Sequence, residues 1–147
     1  MKQGEIAMRI TIIGAGNVGG AIARGLTGKG HDVVLGARDP QAPDVVALAS
    51  ATGARAMAPE AAAAAGDVVI LALPWGVAEA AVRALGSLAG KTVIDCMNPL
   101  GMVAGALGLT VGHTTSGGEI VAGWLPGAQV VKTLNQVGAE IMAKNDH

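Results

Sequence analysis

Phenylalanine and tyrosine are absent from this 147-residue chain, and its aromatic side chains of the Phe/Trp/Tyr type are two tryptophans, Trp75 and Trp124. Proteins that bind single-stranded nucleic acid stack bases on rows of such rings, so that class is excluded. Charge is scarce too. Only 14% of residues are charged and the net charge is −1, which leaves no basic face to displace counterions from a phosphate backbone. No nucleic-acid partner is expected. The one cysteine, Cys96, cannot close an internal disulfide, and a reducing cytoplasm is the simplest expected compartment. Residues Met1 to Glu5 include Lys2 and Glu5 but no apolar signal-peptide region. The apolar runs fall far below the roughly 20 residues of a membrane span, so no membrane partner is expected. With three scattered histidines and neither HxxxH nor CxxC, no metal site is proposed. A serine elbow and a pair of catalytic carboxylates are missing as well, so no catalytic side chain is assigned.

What is plentiful is glycine, with 23 residues, in a sequence that is 51% hydrophobic. Short β-branched runs alternate with Ala-rich stretches. Strands are expected at Arg9 to Ile13, Asp32 to Leu35, Ala54 to Met57, Asp67 to Leu73, Lys91 to Asp95 and Val130 to Leu134. Helices are expected at Asn17 to Lys29, Gln41 to Thr52, from Pro59 onward, Trp75 to Leu88, and from a Ser116–Glu119 capping box to Trp124. Strands apolar on both faces, alternating with helices, indicate a doubly wound α/β fold of the Rossmann type. Its sheet is mainly parallel and six-stranded, with helices on both faces. The Gly-rich stretch from Asn98 to Gly118 reads as one long irregular segment.

Gly14-Ala15-Gly16-Asn17-Val18-Gly19 is a GxGxxG that follows a strand and opens a helix. In that context Gly14 allows the tight turn, Gly16 lets the backbone approach a pyrophosphate, and Gly19 lets the helix pack closely on the strand. The helix N-terminus then offers unpaired N–H groups and a positive dipole end. The second strand runs into Gly36-Ala37-Arg38-Asp39-Pro40. An acid at this strand end would hold the ribose hydroxyls of NAD, whereas a guanidinium can fork onto a 2′-phosphate. Arg38 therefore favours NADP, and Asp39, one residue on, keeps the ribose-acid reading open.

These segments resemble a known family. GAGNVG, the GARDP turn, Leu73-Pro74-Trp75, the run Asp95 to Leu100 (DCMNPL) and Val130 to Asn135 (VVKTLN) occur in the order found in the coenzyme F420-dependent NADP oxidoreductases. The resemblance implies hydride transfer between NADPH and a deazaflavin (F420) or flavin-like acceptor, with the protein supplying position rather than an acid or base. It implies that Gly14, Gly16, Asn17, Val18 and Gly19 hold the pyrophosphate and Arg38 the 2′-phosphate. Pro74 and Trp75 would border the cofactor, and Val137 and Ala139 would lie beside the nicotinamide ring. Asn98 and Pro99 are the further cofactor-binding candidates, whose closure with the Val137 region over that ring would favour catalysis, whereas a crevice ending at the ribose would favour a binding module. Members of the family continue into elements that complete the sheet and a homodimer. Residues 1–147 are thus expected to be an NAD(P)-binding Rossmann domain without that C-terminal segment. Two other readings stay open, a reductase of a small carbonyl or imine substrate and a non-catalytic NADP(H)-binding module.

Other residues have plainer readings. Trp75, Glu79 and Arg83 share one helix face, where Trp75 packs either on the cofactor or as a capping hydrophobe beside a surface ion pair. Cys96 reads as a small buried hydrophobe rather than a nucleophile. His31 reads as structural. His113 lies in a loop that could reach the substrate pocket, and His147 is terminal.

Overall fold

The computed structural model describes residues 7–110, 115–135 and 138–144. In chain order its elements are β1 (Arg9–Ile13), α1 (Asn17–Gly25), β2 (Asp32–Gly36), α2 (Pro43–Thr52), β3 (Arg55–Met57), α3 (Pro59–Ala65), β4 (Val68–Leu71) and α4 (Trp75–Arg83). They continue with β5 (Thr92–Asp95), β6 (Leu100–Val103), β7 (Ala106–Leu109), α5 (Gly117–Trp124), β8 (Gln129–Lys132) and α6 (Ala139–Met142). Six strands form one sheet in the order β3-β2-β1-β4-β5-β8, and every pairing in it is parallel. This is the Rossmann-type α/β fold, doubly wound about β1 and β4.

Two-sided burial explains the continuous apolar strands. Successive residues alternate between two cores: Ile13, Val34, Val69 and Leu71 pack on one side with Ala62, Val82 and Val121 from α3, α4 and α5. Ile12, Leu35 and Ile70 pack on the other side with Ile22 and Leu48 from α1 and α2. Thr11 is a buried polar residue of β1, and its hydroxyl donates to the Ala62 carbonyl at 2.6 Å, which removes the cost of an unpaired group.

Helix ends follow local chemistry. Both α2 and α3 begin on a proline, Pro43 and Pro59, whose missing N–H is no loss in a first turn. The carboxyl end of α3 is closed by Lys91, whose ammonium donates to the carbonyls of Ala63, Ala64 and Gly66 at 2.7, 2.9 and 2.8 Å. At α5 the capping box is complete: the Glu119 N–H donates to the Ser116 hydroxyl at 3.2 Å. The Ser116 N–H donates back to Glu119 Oε2 at 2.8 Å. That backbone donor, with the Thr115 hydroxyl, holds the Glu119 carboxyl below its ordinary range.

Several sequence boundaries need correction. The largest concerns the stretch from Asn98 to Gly118, which is not irregular throughout. It contains the antiparallel hairpin β6–β7, closed by a two-residue turn with Ala104 at φ 52° and Gly105 at φ 82°. Positive φ at both turn residues matches the twist of the flanking strands. The last strand of the sheet is Gln129–Lys132 rather than Val130–Leu134, because Leu134 turns the chain away at φ 63°. Helices α1 and α4 stop at Gly25 and Arg83, short of Lys29 and Leu88, and α2 starts at Pro43 rather than Gln41. The fourth strand keeps only Val68–Leu71 of the expected Asp67 to Leu73. The short helix α6 was not expected.

Candidate functional site

At the carboxyl edge of the sheet each strand hands the next a hydrogen bond as the chain leaves it. The Gly14 N–H donates to the Gly36 carbonyl at 3.1 Å, Ala72 to Ile13 at 2.9 Å, Cys96 to Leu71 at 3.1 Å and Thr133 to Asp95 at 3.1 Å. The strand order reverses between β1 and β4, and open α/β sheets bind ligands in the crevice beyond such a reversal. The GxGxxG turn stands at that point.

Its three glycines do three different things. Gly14 holds φ 108°, and a side chain there would strike the Ala72 carbonyl oxygen. A Cβ on Gly19 would strike the Gly14 carbonyl oxygen, so the bare backbone sets how closely α1 approaches the turn. Gly16 is different: a Cβ there would meet nothing within 4 Å. Its lack of a side chain leaves open space directly at the start of α1. Gly16 and Asn17 are exposed, and Val18 is half-buried against the α1 side of the core. No side chain caps α1, and no acid lies in its first turn. Its leading N–H groups and dipole are thus arranged for an anion.

At the end of β2, Ala37 is buried and its N–H donates to the Met57 carbonyl at 3.1 Å. Arg38 follows, exposed, with no hydrogen bond or ion pair among the described residues. Asp39 is engaged locally, since its carboxylate accepts the Gln41 N–H at 3.0 Å. This is a local Asx turn.

The β4–β5–β8 side is built from side chains. Pro74 is the exposed cap residue of α4. Trp75, the first residue of that helix, packs against Trp124 with ring centroids 5.4 Å apart and a tilt of 31°, so at least part of its surface belongs to the core. The expected surface pair is present, with Arg83 donating to Glu79 at 3.1 Å. At the crest of β5, Pro99 is buried and Asn98 half-buried, and the Asn98 side chain donates to the Asn135 carbonyl at 3.1 Å. Cys96 is buried, and burial pushes its thiol up to about 11, so it is inert near neutral pH. Ala139 opens α6, half-buried, and α6 packs along α1. Val137, His113 and His147 lie outside the described residues.

One pair escaped the sequence reading. Asp95, fully buried at the last rung of β5, lies opposite Lys132 in β8. Its Oδ1 accepts the Met97 N–H at 2.8 Å and sits 3.4 Å from the Lys132 ammonium, which also donates to the Met97 carbonyl. An acid ending one strand and a lysine ending another were the available signal, but only the β5–β8 register joins them. Among the described residues, no group of three metal-ligating side chains occurs, and no helix is long and apolar enough to cross a membrane.

Comparison with known proteins agrees with this geometry. The sequence model of the family "NADP oxidoreductase coenzyme F420-dependent" matches residues 9–99. Among solved structures, a proposed F420-dependent NADP reductase from Arthrobacter sp. is 34% identical, with a TM-score of 0.84 over 92% of this chain and 66% of that one. A hypothetical protein from Sinorhizobium meliloti is 26% identical, with a TM-score of 0.75 over 95% and 66% of the two chains. A pyrroline-5-carboxylate reductase from Coxiella burnetii is 18% identical, with a TM-score of 0.65 over 86% of this chain and 43% of that one, a likeness of fold. The chain thus spans 66% of the length of the first two structures.

Proposed function

Since this chain belongs to the NADP oxidoreductase, coenzyme F420-dependent family, we propose that it binds NADPH across the β1–β4 crevice and serves hydride transfer to a deazaflavin or flavin-like acceptor. The observation that carries the reading is the open space at Gly16, framed by two glycines whose positions are sterically obligatory. A turn needed only for chain reversal would require Gly14 and Gly19, whereas nothing steric requires a glycine at position 16.

The residues fit the dinucleotide. In this reading Gly14, Gly16, Asn17, Val18 and Gly19 hold the pyrophosphate on the leading N–H groups of α1, and the uncommitted guanidinium of Arg38 takes the 2′-phosphate. Pro74 and Trp75 border the middle of the cofactor, and the crest at Asn98 and Pro99 faces the nicotinamide, with Val137 and Ala139 beside it. Bound there, NADPH supplies the hydride. The chain's own task is to fix both ends of the cofactor, because position is the main contribution a protein makes when a cofactor carries the chemistry. Among the described residues the β5 crest offers no free acid or base: Asp95 is tied to Met97 and Lys132, and the Cys96 thiol is buried. An acceptor that needs orientation more than side-chain proton transfer suits such a wall, as does the F420 dependence after which the family is named.

Calorimetric titration with NADPH and NADH tests the assignment. Arg38→Ala should weaken NADPH by about tenfold, as expected for an exposed charge-assisted contact, and leave NADH within about twofold. Equal losses for both would remove Arg38 from the 2′-phosphate site. Mixing the NADPH-bound protein with F420 and following the loss of deazaflavin absorbance then tests the acceptor.

A further inference from the structure

Lys132 is placed where a lysine is costly and an apolar residue would hold the strands as well. Its partner Asp95 has no exposed surface, and the second carboxylate oxygen, Oδ2, is buried without a hydrogen-bond partner among the described residues. Replacing such a pair by packed apolar side chains is often neutral or stabilising. The geometry around it is also specific. A Cβ on Gly118 would lie 3.3 Å from Lys132 Cβ, and one on Gly117 would lie 3.5 Å from the Pro99 ring. The bare first turn of α5 therefore closes down on the lysine stem and on the β5 crest together. At its far end the ammonium meets Asp95 and the Met97 carbonyl.

We infer that Lys132 is a positioning residue for the nicotinamide half of the crevice: anchored by Asp95, it fixes the Met97 peptide and thereby the Asn98–Pro99 crest. The inference rests on the NADPH reading above. With the Met97 carbonyl engaged and the Met97 N–H given to Asp95, both ends of this residue's backbone are held from one charge pair, whose acid is buried. Asn98 then reaches the Asn135 carbonyl, which ties the same crest to the loop after β8. Loosening the pair softens the seat of the nicotinamide and leaves the Gly14–Gly19 turn, beyond β4, as it was.

The test uses Asp95→Asn/Lys132→Met, which removes both charges without stranding a buried carboxylate, and Lys132→Arg, which keeps the charge. Each is titrated with 2′,5′-ADP, a probe of the adenosine half alone, and with NADPH, whose bound nicotinamide emission is recorded. In the double variant the 2′,5′-ADP Kd should stay within about twofold of the parent. The NADPH Kd should rise about tenfold as the seat loses its preorganisation, and the emission should move toward that of free NADPH. Lys132→Arg should restore most of both. A double variant with parental NADPH affinity and emission overturns the inference. So does an equal loss for both ligands, which would mark a purely structural pair. If the double variant does not fold, Asp95→Asn alone, which keeps the Met97 hydrogen bond but weakens the hold on Lys132, is read by the same two outcomes. A parent that binds neither ligand overturns the site reading and this inference with it.

Discussion

The two walls of the crevice differ in kind. On the β1–β2 side, Gly14, Gly16 and Gly19 shape the turn by what they lack, and Arg38 stands uncommitted at the rim. On the β5–β8 side, the side chains of Asp95, Lys132 and Asn98 tie neighbouring crests together, Asn98 by donating to the Asn135 carbonyl. A wall of bare backbone suits a ligand part with the same shape in every dinucleotide, because N–H groups and a helix dipole recognise a phosphate without further tailoring. A wall made of cross-linked side chains fixes one particular shape and is sensitive to single substitutions.

That contrast can be broken or sharpened by mutation. Lys132→Met alone should be the most damaging change, because it leaves Asp95 buried and unpaired. We expect a loss of up to about 3 kcal/mol, the low end for a broken buried pair, since Lys132 is itself partly solvated. Urea unfolding checks this, and a double variant with Asp95→Asn no more stable than the single one would contradict it. Gly19→Ala should come next, at about 1–3 kcal/mol, since its methyl group meets the Gly14 carbonyl oxygen; thermal unfolding and NADPH titration should both register it. Gly16→Val separates binding from folding. With open space around the position, stability should stay within about 0.5 kcal/mol while NADPH affinity falls at least about tenfold. Retained affinity would reduce the turn to a structural motif.

The smallest effect lies at the opposite edge of the β1–β2 half. There Arg9 donates to Asp32 at 2.7 Å and Arg55 at 3.0 Å, and the Arg9 hydrogen bond first, then the charge of Arg55, lowers the Asp32 carboxyl below its ordinary 3.8. A lowered native value means the contribution is fully present above pH 3.8 and is lost as pH falls below it. Because the group is exposed, it should amount to no more than about 1 kcal/mol. Asp32→Asn should lower stability slightly at pH 7 and converge with the parent in acid unfolding curves; a constant gap at all pH values would rule the pair out as its source.

The first wall was legible in the sequence, and the second was not. Glycine roles at Gly14 and Gly19 are decided by atoms a few residues or one strand away, and continuous runs such as Val68–Leu71 announce a buried parallel strand. The Asp95–Lys132 pair depends on two strands 37 positions apart in sequence coming into register. Nothing local in Asp95-Cys96-Met97 announces it. The hairpin was missed for a different reason. Ala104-Gly105 is a weak turn signal compared with Asn-Gly, and glycines at 101 and 108 dilute the strands. The pattern was nonetheless there: Leu100, Met102, Leu107 and Leu109 alternate with small residues and share one face by register. Trp75 fell between the two cases, since a ring at the start of a helix could face cofactor or core, and only its contact with Trp124 shows how much of it the core takes.

The hairpin itself has a consequence for how this fold can vary. Thr110 returns to the point of departure, giving both its N–H and its hydroxyl to the Pro99 carbonyl at 2.7 and 2.9 Å. The intervening strands β6 and β7 therefore leave and rejoin the domain at a single locus, like a loop of thread tied off at its base. Segments with such adjoining ends tolerate insertion and replacement well. Everything between Pro99 and Thr110 is in effect an exchangeable cassette, with Met102 and Leu107 each 72% exposed on its surface. A different hairpin could be grafted there without altering a single rung of the six-stranded sheet.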